Sequence, residues 1–457
     1  MKKAFKLEDI PQVVDARFMP VVPGHPFYVD FENLRDDFQE RTLIRKLNVL
    51  IRDGIYRYNY QPNVYHQSFL FFAGMRGSGK TSELAKVAQK LHTPDCFLVV
   101  TCNIDLELNR DALQYMDVLV FQLEQLIKCS YKAGISLDDS IVESLDQWFT
   151  ERIVEINRSL ASEGNAELEV GGESENPLSI SGLMGKLLGF TAKIKVGLSG
   201  SYERASTIRT TLKNRFSDFA SQFNLFIEQV NVKLRDQGVA QEVLFIVDGL
   251  EKTLSADVRR GIIIGEKERI AQIRAKTIFT LPIELQKETQ RISQSLEIVM
   301  FPFIKIMERN GDYVEAAIGR FYEFVDKRID KTLFESKETI RLAIECSGGS
   351  PRQLLRIIEA AAVEADETIG KITLTDMYRT VDRLGNATAR FIEESEYGEL
   401  KHLEAELSYG RPGKYGDTMQ DLLEKEIVFE YNGGSYKRVN PLVQRSIFYK
   451  SYVLGND

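Results

Sequence analysis

Cysteine and histidine are both scarce. The chain has four of each in 457 residues. Cys96, Cys102, Cys129 and Cys346 form no C-x-x-C pair, and His25, His66, His92 and His402 stand apart from them. A disulfide framework and a structural zinc site are therefore not what organises the fold. Long apolar runs are missing too: no segment approaches the length of a membrane span, and Met-Lys-Lys-Ala-Phe-Lys at the start has no apolar stretch to serve as a secretory signal. The chain reads as a cytoplasmic protein in a reducing setting. Basic charge is also in deficit, with a net charge of -8, which argues against a broad nucleic-acid surface but permits a local basic patch.

What is present is ordinary in amount. Hydrophobic residues make up 43% and charged residues 28%, as in soluble globular proteins. The length exceeds what one core supports, so about two to four domains are expected.

The informative stretch runs from Ser68 to Ala85. Phe69 to Ala73 is apolar without alternation, the pattern of a central strand in a parallel sheet covered on both faces. Gly74, Met75, Arg76, Gly77, Ser78, Gly79, Lys80 and Thr81 then match G-x-x-x-x-G-K-[ST] at every fixed position, with Ser82 continuing into a helix. Glycines let the backbone turn its N–H groups toward phosphate oxygens, and the helix that follows offers its positive end to the same anion. In such a loop Lys80 neutralises the β/γ-phosphates and the Thr81 hydroxyl ligates Mg²⁺.

Ahead of this loop, Phe27 to Asp30 reads as a short strand, one able to lie against a nucleotide base or simply to pack. Leu43, Ile44, Leu47, Leu50 and Ile51 recur at helical spacing. After the loop, Pro94 ends a helix and Phe97 to Val100 forms a second buried strand. Met116, Leu119, Val120, Leu123 and Ile127 mark a covering helix. Leu145 to Leu160 reads as helical, and the acidic, Gly/Ser-rich Ser162 to Asn176 as a mobile loop. Phe190, Ala192, Ile194, Val196 and Leu198 alternate with polar or small residues, the period of a strand in a hairpin or sheet edge. Leu183, Met184, Leu187 and Leu188 suit packing within this insertion, or contact with a membrane or partner. Ile208 through Leu234 trace one face of a long helix.

Val243 to Val247 followed by Asp248 describes a buried strand that delivers a carboxylate to the carboxyl edge of the sheet, where open α/β sheets bind ligands. Asp248 is the natural partner of Thr81 for Mg²⁺. Thr277 to Leu281 and Ile298 to Phe301 supply further strands, each stopped by proline. Thr280 sits at the tip of its strand, where its hydroxyl can meet a γ-phosphate or the attacking water, or simply serve as a good strand residue. Beyond Tyr313 the pattern turns helical. Gly348 and Gly349 close one helix, and Ser350 with Pro351 opens the next, holding Arg352 on a first turn. Near the end, helices precede two alternating strands around Asn432-Gly433.

This order of parts resembles AAA+ and STAND-type ATPases, in particular bacterial proteins related to origin-recognition initiators and NACHT-like signalling ATPases. The resemblance rests on Gly74 to Thr81 as Walker A, Val243 to Asp248 as Walker B, Thr280 at the sensor-1 position and Arg352 at the sensor-2 position. It implies an α/β P-loop NTPase with a parallel sheet, a helical lid and a C-terminal winged-helix domain. Residues 1–66 would form a leading segment and 67–310 the ATPase domain, with a helical and strand-bearing insertion at about 131–235. Residues 311–390 would form the lid and 391–457 the winged helix. One departure is instructive: Gly249 stands where AAA+ hydrolases place a glutamate, as in STAND proteins that turn over slowly. Glu251 becomes the candidate catalytic base, with Glu83 as a substitute, or is a solvated loop acid.

The resemblance implies ATP and Mg²⁺ as ligands and a slow ATPase that acts as a switch upon a separate partner protein, with homo-oligomers and a role in phage defence or stress as further expectations. An initiator-like DNA-binding ATPase is the alternative, favoured by Lys437 and Arg438 in the wing and opposed by the acidic balance. A small-molecule kinase would not explain the lid and the winged helix.

Overall fold

The computed structural model describes residues 2–14, 20–35, 38–60, 69–108, 113–162, 168, 182–252, 256–285, 297–408, 416–431 and 436–455. Its centre is a five-stranded parallel sheet, formed by β3 (Phe69–Gly74), β4 (Phe97–Asn103), β5 (Glu242–Asp248), β6 (Lys276–Pro282) and β7 (Glu297–Met300) in the spatial order β4-β5-β6-β3-β7. Successive residues of β3 point to opposite faces, and both faces are covered. Phe71 and Ala73 join one apolar cluster, whereas Leu70 and Phe72 join another. The apolar runs lack alternation for this reason.

The second face is covered by α1 (Glu40–Lys46), a hairpin of β1 (Val49–Arg52) and β2 (Ile55–Tyr58), and α2 (Lys80–Leu91). The helix expected to run through Leu50 and Ile51 stops at Lys46. Asp53 and Gly54 both have positive φ (49° and 77°), the two-residue turn that Asp-Gly favours, and they fold the chain back into a hairpin. Phe27 to Asp30 is turn and coil rather than a strand.

The first face is covered by α3 (Tyr115–Lys132) and the helices α4 (Asp139–Ser162), α5 (Gly182–Leu198), α6 (Tyr202–Asn214) and α7 (Phe216–Asp236). The strand expected at Phe190 to Leu198 is instead part of α5. Leu187, Thr191, Ile194 and Leu198 are buried at helical spacing, and Val196, which strand alternation would bury with Ile194, is 67% exposed. The long helix expected through Ile208 to Leu234 breaks at Arg215 (φ -114°, ψ 23°) into α6 and α7. Arg209 of α6 donates to Asp117 of α3 from Nε and Nη2, at 3.0 and 2.7 Å, and thereby clamps α6 to the covering helix. Among the described residues of this region there is no strand. The loop expected at Ser162 to Asn176 lies almost wholly outside the described residues, as does Leu183's side chain.

Beyond α8 (Ala256–Arg260) and the last two sheet strands, α9 (Glu315–Asp326), α10 (Lys337–Cys346), α11 (Pro351–Glu364) and α12 (Leu374–Ala389) pack around a separate core. That core includes Ala4, Ile10, Val13, Phe27 and Phe31 from the beginning of the chain. The end of the chain comprises α13 (Tyr397–Ser408), α14 (Asp417–Glu424), the antiparallel pair β8 (Val428–Tyr431) and β9 (Tyr436–Val439), and α15 (Pro441–Arg445). No described helix is long and apolar enough to cross a membrane.

Candidate functional site

Strand β3 ends at Gly74 and α2 begins at Lys80, so the chain must reverse sharply between them. Gly77 and Gly79 make this possible with φ of 77° and 98°, where a side chain would be strained. Such a turn before a helix start is the backbone geometry of an anion cradle. Lys80 is almost buried and folds back over the turn, donating from Nζ to the carbonyls of Gly74 (2.9 Å) and Met75 (3.0 Å). Ser78 is fully buried in the same turn, and its hydroxyl has no hydrogen-bond partner among the described residues.

One residue into the helix, the Thr81 hydroxyl donates to Oδ2 of Asp248 at 2.6 Å. Asp248 ends β5, and β6 separates that strand from β3. The glycine turn, the helix-borne lysine and threonine, and the strand-end aspartate thus meet at the carboxyl edge of a parallel sheet. The chain has the P-loop NTPase fold.

In this P-loop NTPase fold the Thr280 hydroxyl is fully buried and accepts the Gly249 N–H at 3.1 Å, which ties β6 to the residue after Asp248. Asn103 ends β4 in register with Asp248, and Asp105 lies against Gly249 and within 3.3 Å of Lys252 Nζ. The backbone of Glu251 lies in the short turn Leu250–Lys252, but its side chain is outside the described residues. Glu83 is turned elsewhere: it belongs to a cluster in which Lys86 pairs with Glu32, Glu40 and Glu83. Burial raises the Glu83 carboxyl above its ordinary range against the pull of Lys86.

The P-loop is enclosed from three sides. From the second helical core, Ser350 caps α11 by accepting the Gln353 N–H at 3.2 Å, and a Cβ on Gly77 would come within 2.8 Å of the Arg352 Cβ. Helix α11 therefore starts directly on the glycine turn. From the beginning of the chain, the Val21 N–H donates to the Ser82 hydroxyl at 3.2 Å, and the buried Arg35 donates to the carbonyls of Ser78 (2.7 Å) and Pro302 (2.5 Å). Its guanidinium also lies 3.9 Å from the Phe301 ring. Burial lowers its pKa to about 10, so it remains charged at neutral pH. From the end of the chain, Met75 is buried in the cluster that contains Leu422, Leu423 and Phe429, and Arg76 lines a small cleft with Arg259 and Glu424, which pair with each other.

Sequence reasoning missed Arg35, Arg259, Asn103 and Asp105. The last two had a signal, because the buried run of β4 ends in polar residues just as β5 ends in Asp248. The two arginines had none, since only the folded chain brings them to the loop. The terminal hairpin also differs from the role expected of a wing: Lys437 is 2% exposed and pairs at 3.3 Å with the equally buried Glu430, while Arg438 turns to Met307 and Tyr436. Asn432-Gly433, expected as the wing's turn, lies outside the described residues.

In sequence, no family model and no curated protein matches the chain. Among solved structures it is similar to a Walker-type ATPase of Pyrococcus abyssi, with 12% identity over 94% of this chain and 98% of that one and a TM-score of 0.43. It is also similar to Cdc6p of Pyrobaculum aerophilum, with 11% identity over 93% and 96% of the two chains and a TM-score of 0.33.

Proposed function

We propose that the chain is a regulatory ATPase of AAA+/STAND type, which binds ATP with Mg²⁺ at Gly74 to Ser82, hydrolyses it slowly and passes its nucleotide state to a separate partner protein. The observation that carries this reading is the 2.6 Å contact of Thr81 Oγ1 with Asp248 Oδ2 at the start of the Lys80 helix. A hydroxyl and a carboxylate so placed are the oxygen donors Mg²⁺ takes from a protein when phosphates and water supply the rest. The positive-φ glycines and the buried Ser78 hydroxyl suit phosphate oxygens in the same way. Bound there, Mg²⁺ would offset phosphate charge.

This chain's own residues do the remainder. Lys80 exchanges its bonds to the Gly74 and Met75 carbonyls for phosphate oxygens. Thr280 holds the Gly249 amide and so couples its strand to Asp248, and Glu251 orients water as the base. Gly249, in place of an acid directly after Asp248, supports slow turnover. Arg352 reaches the phosphates from the lid. In domain terms the reading takes 67–310 as the ATPase with its insertion at about 131–235, 311–390 as the lid and 391–457 as a winged-helix-like unit, in a cytoplasmic protein capable of self-assembly. Phage defence or stress signalling follows from the resemblance alone. The initiator-like alternative loses its best support with Lys437 buried against Glu430.

Calorimetry with ATP tests the site. Lys80→Ala removes the cation folded over the turn and should weaken binding by about tenfold or more, the scale of one charge-assisted bond. Equal affinity in the two proteins would place the nucleotide elsewhere.

A further inference from the structure

On the sheet face away from α2 lies a cavity of about 270 Å³. Its floor is aromatic: Phe69 and Phe279 stack with centroids 5.7 Å apart and planes 10° from parallel, and Phe71 adjoins Phe279 at 6.2 Å. Leu250, Ile262, Ile263, Ile270 and Ala271 form much of the remaining wall. Lys267 and Glu268 also line it, and Glu268 is exposed. The pocket is half open to solvent and lies at the edge of the apolar cluster of that face, to which Phe71, Leu250, Ile262, Ile263, Ile270 and Phe279 belong. An apolar cavity of about 150 Å³ already admits benzene, so this one has room for a fused pair of rings.

The wall above the cavity is itself distinctive. Gly261 to Gly265 forms a π-helical turn, closed by a Glu266 N–H bond to the Gly261 carbonyl at 3.0 Å, and Ile262 and Ile263 project from that turn into the lining. Wide turns of this kind are energetically poor and cluster at functional sites. A Cβ at Gly261 or Gly265 would meet nothing within 4 Å, so packing does not demand glycine at either end; two glycines there leave the wall pliable.

We infer that this cavity is a binding site for a small, uncharged, ring-bearing molecule, held by stacking on Phe279 and Phe69 and by the isoleucines of the π-helical turn. The lining favours an apolar ring over a charged ligand, since the only ionic groups among its described lining residues, Lys267 and Glu268, have opposite sign. A pocket of this volume suits a small molecule better than a helix of a partner chain, which needs a long open groove. The site is independent of the nucleotide assignment, although Leu250 and Phe279 lie next to Gly249 and Thr280.

Fluoroindole followed by fluorine NMR tests this. The wild-type protein should broaden and shift the probe signal saturably, and the probe should shift the methyl resonances of Ile262, Ile263 and Ile270 but not that of Ile318, which is buried in the lid core. Ala271→Leu and Ile262→Phe fill the cavity and should weaken uptake by about tenfold or more, as overpacking of that size implies. Absence of saturable binding, or methyl shifts confined to other isoleucines, would overturn the inference. So would unchanged affinity in either filled variant.

Discussion

The hydroxyl of Thr81 lies 2.6 Å from a carboxylate oxygen of Asp248, 167 residues further along the chain. Between them the chain forms β4 and then α3 to α7 before β5 returns it to the sheet edge. In the proposed function this contact holds the metal, which separates metal ligation from nucleotide binding. Asp248→Asn is nearly isosteric and sits at a strand end, so ATP affinity should change little while Mg²⁺-dependent hydrolysis falls by about a hundredfold or more. Phosphate release beside a calorimetric binding curve would show it, and undiminished release would mean that another carboxylate holds the metal.

The approach of Arg352 to Gly77 gives a second expectation. An arginine that meets the phosphates from the lid ties two bodies together only while a γ-phosphate is present, which is the differential affinity a ligand-driven change requires. Such a contact supplies about 1.5–3 kcal/mol, a population shift of about tenfold or more. ATP should therefore compact the wild-type protein or change its assembly in small-angle scattering more than ADP does, and Arg352→Ala should lose most of that difference while still binding ATP through Lys80. An unaltered ATP response in the variant would point to Arg356 or to an arginine of a neighbouring subunit.

Arg35 makes the glycine turn depend on the beginning of the chain. Its bonds to the Ser78 and Pro302 carbonyls are charge-assisted and buried. Each such bond is worth about 1.5–3 kcal/mol. Arg35→Met should lower stability to urea by at least that amount and weaken ATP binding, because the Ser78 peptide loses its anchor. A variant with wild-type urea midpoint and affinity would reduce Arg35 to a packing residue.

Glu430 and Lys437 form a buried pair in the terminal hairpin. Burial holds the Glu430 carboxyl above its ordinary range despite Lys437. Removing one partner strands the other, so Glu430→Gln should destabilise by about 3–5 kcal/mol, whereas Glu430→Leu combined with Lys437→Met should be neutral or stabilising. Denaturant melts of the single and double variants decide it. A double variant as unstable as the single one would show that the pair contributes net stability.

Asp330 carries a pH expectation. Hydrogen bonds from the Thr332 hydroxyl and N–H, with Lys3 nearby, lower its carboxyl pKa to about 2. A depressed carboxylate stabilises the fold above its unfolded value and loses that contribution as pH falls through its folded one. The loss should therefore run from about pH 4 down to about pH 2, and Asp330→Asn should flatten that part of the acid stability profile. A carboxyl titrating near pH 4 in a carbon-detected NMR experiment would refute the assignment.

The sequence by itself determined the sheet and which residues stand at its carboxyl edge. Uninterrupted apolar runs such as Phe69 to Ala73 and Val243 to Val247 suit only strands buried on both faces, and the glycine pattern with Lys80 and Thr81 has few structural meanings. The caps at Ser350 and Thr373 are equally local, since a side chain three residues away satisfies each N–H. Where local pattern was ambiguous, tertiary packing decided. Residues 190–198 carry a period of two, but a helix lets Leu187, Ile194 and Leu198 reach the apolar cluster, and burial outweighed alternation. Leu50 and Ile51 continue a helical spacing, yet the left-handed turn at Asp53-Gly54 pairs them with Arg57 and Tyr56. Arg35 and Arg259 had no local signature, and nothing local showed that Met75 and Lys437 would be buried against distant segments. Their roles come from contacts hundreds of residues apart in some cases, and the free energy of such contacts depends on which groups lose water together, a property of the packed chain and not of any window along it.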